Sequence, residues 1–146
     1  MSPLAEVLHG EGLIITGPDM KESTAVDHIS SLGIPVVIGH RGESVEGKDL
    51  VIRTAAVHDD NPEIAAAHAL DIPVFERAQA WGSIMRRYEN ALCISGTHGK
   101  TSTTSMCTHI AMAARIDPTV MIGGTLPILG TGHRVGKGKT IILESC

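Results

Sequence analysis

Residues 91–102 read ALCISGTHGKTS, and this stretch decides the fold class that the sequence predicts. Its first five residues form a short apolar run, which is typical of a buried strand. The glycines that follow let the backbone bend so that several N–H groups point at one anion, and a helix N-terminus adds positive potential. The order of strand, glycine loop and helix therefore predicts a phosphate-binding loop.

The residue types in this loop suit the phosphates of ATP or GTP together with Mg²⁺. Lys100 would reach the terminal phosphates, and the Thr101 hydroxyl would bind Mg²⁺. The loop is shorter than the general pattern G-x-x-x-x-G-K-[ST], because Ile94 stands where that pattern has its first glycine. The alternative is a glycine turn capped by Thr or Ser, with an outward-facing His98. The candidate nucleotide-binding residues are Gly96, Thr97, His98, Gly99, Lys100, Thr101 and Ser102.

Glu144 is a second candidate metal ligand, because it follows the apolar run at residues 140–143. An acidic residue at the end of the strand after a phosphate-loop helix commonly faces the Mg²⁺ ion. The alternative is a solvated carboxylate at a strand end. Spacing alone does not separate the two interpretations.

Short apolar runs alternate with helical patterns along the chain. The runs that predict buried strands are residues 13–16, 35–39, 50–54, 73–76 and 91–95. The helical patterns are residues 3–9, 23–32, 62–70, 79–88 and 100–115, with Asn61 and Pro62 as a good helix start. A Gly-rich stretch at 123–138 leads into a last strand at 140–143. The alternation predicts an α/β fold with a mainly parallel sheet.

The regular spacing of helices and strands ends near residue 88, where an arginine-containing stretch follows. We therefore predict one domain at residues 1–88 and the start of a second at residues 89–146. Both ends of the chain look cut. It opens with a helix, and it closes as a strand delivers polar residues to the edge where ligands bind in parallel sheets.

Composition narrows the class of protein. The net charge is −4 and there is no basic patch, which argues against nucleic acid as the main partner. No apolar run approaches the roughly 20 residues of a membrane span, and the N-terminus is not a secretion signal. The three cysteines have no CxxC spacing, which favours a reducing compartment. These features predict a cytoplasmic protein.

The string GTHGKTSTTSM at residues 96–106 resembles the ATP loop of the Mur ligase family, whose pattern is close to GTHGKTTTT. Further strings resemble the alanine-adding branch of that family, in the right order across essentially the whole chain. They are MSPLAEVL, ITGPD, the pair Gly39-His40, TAAV followed by NPE, IPVFERA and DPTVMIGG. The resemblance implies a Rossmann-like domain that binds the UDP part of the substrate, followed by the start of a P-loop ATPase α/β domain.

The resemblance also implies that parts of a longer ligase are missing. Family members begin with a strand and a glycine-rich turn ahead of the equivalent of Met1, so Met1 is expected to be an internal methionine. The rest of the ATPase domain and a C-terminal domain would follow Cys146. The ending Glu144-Ser145-Cys146 fits the family's E-A-C-E version of this strand end.

Site roles carry over from the family position by position. Ser2 would touch the pyrophosphate, and Arg77 would face the negative groups of the substrate. Gly123 and Gly124 resemble the family's IGG turn near the reacting carboxylate. The residues that would line the C-terminal edge of the sheet around the nucleotide sugar are Thr16, Gly17, Asp19, His40, Thr54, Ala55 and Ala56. For His40, the alternative is a loop histidine with no ligand.

The implied activity joins L-alanine to the carboxylate of UDP-N-acetylmuramate, at the expense of ATP and with Mg²⁺, in peptidoglycan synthesis. An acyl phosphate would form first, and the amine of alanine would then displace phosphate. Lys100, an ion on Thr101 and a second metal held partly by Glu144 would offset the negative charge. No general base is assigned within residues 1–146, so the isolated chain is expected to be inactive.

Three alternatives remain. One is the sister ligase that attaches a preformed tripeptide to UDP-N-acetylmuramate; MSPLAEVL and the IGG context favour the alanine enzyme. Another is a non-catalytic module that keeps only UDP-sugar or nucleotide binding, against which the missing glycine turn counts. The third is a broken gene product of marginal stability. The sequence makes no prediction about oligomeric state.

Overall fold

The computed structural model describes residues 1–39 and 41–145, which divide into two compact units, Met1–Gly82 and Ser83–Cys146. Each unit combines helices with parallel strands, so the predicted α/β class is confirmed. The division along the chain falls a few residues before the predicted boundary at residue 88. The roles predicted for the two domains remain predictions. Within the described residues, no helix is long and apolar enough to cross a membrane.

The first unit contains four short strands in two separate parallel pairs. The pairs are β1 with β2 and β3 with β4, in the registers Gly17↔Val36 and Val51↔Val74. The elements are α1 (Ser2–Gly10), β1 (Gly17–Asp19), α2 (Thr24–Ser31), β2 (Val36–Ile38), a 3₁₀ turn (Gly42–Val45), β3 (Val51–Arg53), α3 (Pro62–Ala69), β4 (Val74–Glu76) and α4 (Arg77–Met85), in which the unit boundary falls.

Two helix starts in this unit follow local sequence rules. The Val26 N–H donates to the Ser23 hydroxyl at 3.3 Å, which caps α2. The Glu63 N–H donates to the Asn61 side chain at 2.9 Å, and Pro62 occupies the first turn of α3. Each cap satisfies an amide that has no acceptor within the helix. The helix start predicted at Asn61-Pro62 is confirmed.

The prediction of a strand at residues 13–16 is wrong. The strand begins at Gly17 instead, where the Gly17 N–H donates to the Pro35 carbonyl at 3.3 Å. Ile14, in the predicted stretch, is 93% exposed. An apolar run becomes a strand when a neighbouring strand pairs with it, and β2 pairs with the three residues that come after this run.

The second unit holds a single sheet of four strands in the order β5-β8-β6-β7. Strands β5, β8 and β6 are parallel, and β7 runs antiparallel to β6. The elements are β5 (Asn90–Ile94), α5 (Lys100–Ala113), β6 (Thr119–Leu126), β7 (Thr131–Arg134) and β8 (Thr140–Glu144).

Strand β6 begins just before the Gly-rich stretch at residues 123–138 and ends within it, and β7 lies wholly within it. The sequence predicted no strand in this stretch. Glycines weaken the strand pattern, and the register shifts between Met121 and Leu126, as at a β-bulge. The two strands are held by their pairing with each other, and the local sequence contains no pattern that predicts this pairing.

The core of the second unit forms where α5 covers the middle of the sheet. Its buried members are Ala111, Val120, Ile122, Leu126 and Ile142. The hydroxyls of Thr104 and Thr108 are also buried on α5. Each donates at 2.8 Å to the carbonyl four residues earlier, so neither is left without a partner.

The prediction of buried strands is wrong for β2, β3, β4 and β5, whereas β8, which was predicted only as a strand, is buried along its whole length. All five residues of β8 are buried, because β8 lies between β5 and β6. Strand β5 is at the edge of the sheet, and residues 90–93 are exposed, including Cys93. The strands of the first unit are half-buried or exposed, because each has one neighbour among the described strands.

The stability of the second unit should depend on Ile142. Its side chain is 2% exposed, whereas Leu92, its neighbour across the ladder, is 41% exposed. We expect Ile142→Ala to lower the free energy of unfolding by about 2–5 kcal/mol, through lost burial and the cavity left behind. Leu92→Ala should cost less, because part of that side chain already contacts water. Urea unfolding followed by circular dichroism measures both; equal losses would contradict this account of the core.

Arg53 on β3 lies between two carboxylates, one on β4 and one in the segment before α3. Arg53 donates to Glu76, its register partner on β4, at 3.0 Å and to Asp59 at 2.5 Å. The hydrogen bond and the charge of Arg53 lower the pKa of Asp59. Asp59 and, to a lesser degree, Glu76 in turn raise the pKa of Arg53.

Arg53→Gln should return the pKa of Asp59 towards its ordinary value of 3.8. Because the folded-state pKa of Asp59 is lowered, the ion pair contributes stability above the unfolded-state pKa and loses it as the pH falls through the folded-state value. The carboxyl ¹³C shift of Asp59, followed by NMR against pH, measures this change. Arg53→Lys is the matched variant, because it keeps the positive charge but loses the planar guanidinium group. It should change the pKa of Asp59 less than Arg53→Gln does. An unchanged titration of Asp59 in Arg53→Gln would contradict the assignment.

Candidate nucleotide and metal site

The predicted phosphate loop lies between the end of β5 and the start of α5. Gly99, the residue before the helix, has φ +79°, and Gly96 has φ +153°. Residues other than glycine rarely adopt these backbone conformations. Glycines are therefore required at both ends of the loop.

The loop presents backbone donors and a lysine at the start of α5. Within the described part of the chain, no side chain caps this helix, so its first amides are available to a ligand. The Lys100 ammonium donates to the Gly96 carbonyl at 2.7 Å and closes the loop. Thr97, His98 and Ser102 have exposed side chains. The positive end of α5 and the charge of Lys100 favour an anion here.

Glu144 lies beside this loop because β8 pairs with β5. Ile94 and Glu144 are register partners, and the Ser145 N–H donates to the Ile94 carbonyl at 2.9 Å. The Thr101 hydroxyl donates to Glu144 Oε1 at 2.8 Å. The two residues predicted as metal ligands, more than forty positions apart in the sequence, are therefore in direct contact.

The surroundings of Glu144 suit a divalent cation. Glu144 is 8% exposed, and the described residues supply its carboxylate with two neutral donors, the Thr101 hydroxyl and the Gly123 amide. A buried negative charge without a compensating positive charge is costly. The Thr101 and Glu144 oxygens are 2.8 Å apart, close enough for one ion to contact both. The residues fit a single ion bound by both.

Gly123 and Gly124 lie within strand β6, so the expectation of a turn at these residues is wrong. The Gly123 N–H donates to Glu144 Oε2 at 2.7 Å. A Cβ placed on Gly124 would be 3.5 Å from the Thr101 methyl group, an ordinary contact. Both glycines therefore adjoin the Thr101–Glu144 pair. The contact of Gly123 with Glu144 is not predictable from the sequence, because the string IGG suggests a turn.

Five of the predicted substrate residues line one cavity in the first unit. The cavity has a volume of about 530 Å³, and residues of α1, β1, β2 and β3 contribute to its lining. These five residues are Ser2, Thr16, Gly17, Asp19 and Thr54.

The other predicted substrate residues of this unit lie elsewhere. Of those described, Ala55 and Ala56 follow Thr54 in a turn and Arg77 begins α4, and none of the three lines the cavity. His40 lies outside the described residues. Arg53 does line the cavity and was not predicted. Its position as the one charged residue in the otherwise mainly apolar run at residues 50–54 is the sequence signal that could have identified it.

Comparison with known proteins gives a consistent result. The family model described as "Mur ligase family, catalytic domain" matches residues 1–89. A UDP-N-acetylmuramate–L-alanine ligase of Agathobacter rectalis is 46% identical over 147 aligned positions, which cover all of this chain and 32% of that protein. This chain thus spans about a third of the length of the curated relatives it matches.

Solved structures agree. The UDP-N-acetylmuramate-alanine ligase of Thermotoga maritima superposes with a TM-score of 0.86 at 32% identity, over 99% of this chain and 34% of its own. A UDP-N-acetylmuramate:L-alanyl-γ-D-glutamyl-meso-diaminopimelate ligase from Neisseria meningitides gives a TM-score of 0.85 at 22% identity, over 99% and 48%, and shares the fold. Since the family model alone covers more than half of the sequence, this chain belongs to the Mur ligase family.

Proposed function

We propose that this chain forms part of an ATP-dependent ligase that joins L-alanine to the carboxylate of UDP-N-acetylmuramate in peptidoglycan synthesis. Residues 1–88 would bind the UDP-sugar substrate, and residues 89–146 would begin the central ATP-binding domain. The observation that carries the proposal is the contact between the Thr101 hydroxyl and the Glu144 carboxylate beside the phosphate loop. The alanine ligase of Agathobacter rectalis, 46% identical to this chain, supports the choice of substrates.

The loop at residues 96–102 would hold the phosphates of ATP. The amides at the start of α5 would donate to phosphate oxygens. Lys100, which now donates to the Gly96 carbonyl, would exchange that neutral acceptor for a phosphate oxygen. The exchange is favourable because hydrogen bonds between charged groups are stronger than those to a neutral carbonyl.

Thr101 and Glu144 would hold one Mg²⁺ ion between them. The contact of their oxygens favours a shared ion over the two separate ions that the family resemblance suggested. When bound, Mg²⁺ offsets negative charge on the phosphates during transfer. The buried Glu144 carboxylate supplies the charge that retains the ion, and Thr101 joins that ligand to the phosphate-loop helix.

The reaction proposed for the whole ligase has two steps. A carboxylate oxygen of UDP-N-acetylmuramate bonds to the γ-phosphorus of ATP, the bond from that phosphorus to ADP breaks, and an acyl phosphate results. The amine of L-alanine then bonds to the acyl carbon, inorganic phosphate leaves, and the amine gives up a proton. This chain would contribute positioning and charge neutralisation, while the proton acceptor is not assigned within it.

The cavity of the first unit is the proposed site for the nucleotide sugar. Ser2, Thr16, Asp19 and Thr54 supply polar groups to a lining that is otherwise mainly apolar. Such a site fixes a ligand through a few polar contacts and excludes water with the remainder. Ala55, Ala56, Arg77 and His40 stay predicted substrate residues, and none of the described three faces this cavity.

Attachment of a preformed tripeptide is the weaker alternative. The Neisseria ligase, whose name includes that peptide, is 22% identical to this chain, against 46% for the alanine ligase of Agathobacter rectalis. A binding module without catalysis is the alternative of a different class. It predicts that the chain binds UDP-N-acetylmuramate without binding Mg²⁺-ATP.

Binding of Mg²⁺-ATP to the 146-residue chain tests the proposed phosphate site. Isothermal titration calorimetry should show binding, and Lys100→Ala should weaken it at least about tenfold, equivalent to about 1.4 kcal/mol. Lys137→Ala removes an exposed lysine from the same unit and is the matched control, which should leave the affinity unchanged. No binding by the unmodified chain, or equal affinities in both variants, would contradict the proposal.

The isolated chain should not catalyse ligation, because it spans about a third of the related ligases and carries no assigned base. Phosphate release in the presence of ATP, Mg²⁺ and UDP-N-acetylmuramate should therefore not rise when L-alanine is added. A colorimetric phosphate assay measures this. Alanine-dependent release that disappears in Lys100→Ala would show that the chain is active by itself.

A further inference from the structure

Gly123 is the backbone neighbour of the Glu144 carboxylate. The register of β6 and β8 pairs Met121 with Leu143, which brings the next residues of both strands together at the same edge of the sheet. The Gly123 N–H donates to Glu144 Oε2 at 2.7 Å, while Thr101 donates to Oε1 at 2.8 Å. A separate donor thus holds each oxygen of the carboxylate, and this fixes its rotation.

The absence of a side chain at residue 123 matters as much as its amide. A Cβ at this position would lie 2.9 Å from Oε1, 3.1 Å from Cδ and 3.1 Å from Oε2 of Glu144. These distances are shorter than a normal van der Waals contact. Any side chain at residue 123 would therefore push the carboxylate away from Thr101, or push the two strands apart.

We propose that Gly123 is a positioning residue for the metal site, and that it holds the Glu144 carboxylate where Thr101 can share an ion with it. This inference rests on the proposed function of Thr101 and Glu144 as metal ligands. It gives Gly123 a role that differs from contact with the reacting substrate, which the family resemblance suggested. Gly123 acts through Glu144, by donating one hydrogen bond and by leaving room for the carboxylate.

The test is the metal dependence of ATP binding by the 146-residue chain. ATP affinity is measured by calorimetry with Mg²⁺ and again with EDTA, for the unmodified chain and for Gly123→Ala. We expect Gly123→Ala to reduce the gain in affinity due to Mg²⁺ by about 10- to 100-fold, the usual effect of removing a group that orients a metal ligand. Its affinity without metal should be unchanged, because the phosphate loop is intact.

Two further variants separate positioning from general damage. Thr125→Ile adds bulk at an exposed position of the same strand and should leave the metal dependence unchanged. Glu144→Gln should remove the metal dependence by itself. Gly123→Ala added to Glu144→Gln should then have no further effect on it, because the two residues act through one carboxylate.

A measurement on the unmodified chain covers the case in which Gly123→Ala fails to fold. In the ¹⁵N-labelled chain with ATP, substoichiometric Mn²⁺ should broaden the Gly123 amide signal, and Glu144→Gln should prevent this. A folded Gly123→Ala that keeps full Mg²⁺ dependence would overturn the inference alone. A Gly123 signal that Mn²⁺ leaves sharp would place the ion away from Glu144, and would overturn the proposed metal site together with the inference. Absence of any metal effect on ATP binding by the unmodified chain would overturn the proposed metal site as well.

Discussion

The parallel ladder between β5 and β8 is the constraint on which the candidate site depends. It makes Ile94 and Glu144 register partners, so the loop that leaves β5 and the carboxylate that ends β8 emerge at the same edge of the sheet. A one-residue slip would turn the Glu144 side chain to the opposite face, because side chains alternate along a strand. Such a slip would also move all five buried residues of β8 out of their present packing, and the loss of that packing opposes it.

The phosphate loop and the metal ligands share one electrostatic arrangement. The positive end of α5 and Lys100 provide a region for anions, while Glu144 places a negative charge beside it under little exposure to water. Neutral donors hold that charge, and this arrangement keeps both carboxylate oxygens oriented without cancelling the charge. Glycines occur in both parts of this arrangement for different reasons. The phosphate loop requires positive φ at Gly96 and Gly99, and Gly123 leaves room for the Glu144 carboxylate.

The first unit is held together differently. Its strands are three residues long and occur in two separate pairs, so each keeps an edge without a partner among the described strands. The side chains of these strands are half-buried or exposed, and residues of β1, β2 and β3 line a cavity. Apolar side chains outside these strands, among them Leu4, Ile29 and Ile64, are buried, and the local caps and the largely exposed ion pairs of Arg53 add less to stability.

The sequence by itself determined the elements whose signals are local. The start of α3 at Asn61 and Pro62 and the glycine loop before α5 follow from rules that act over a few residues. Tertiary structure decided the rest. Pairing with β2 moved the first strand to Gly17, pairing with β7 before and after the IGG residues placed them within a strand, and sheet order decided which strands are buried. It also brought Gly123 to Glu144, because hydrogen bonding between distant segments depends on partners that no local pattern contains.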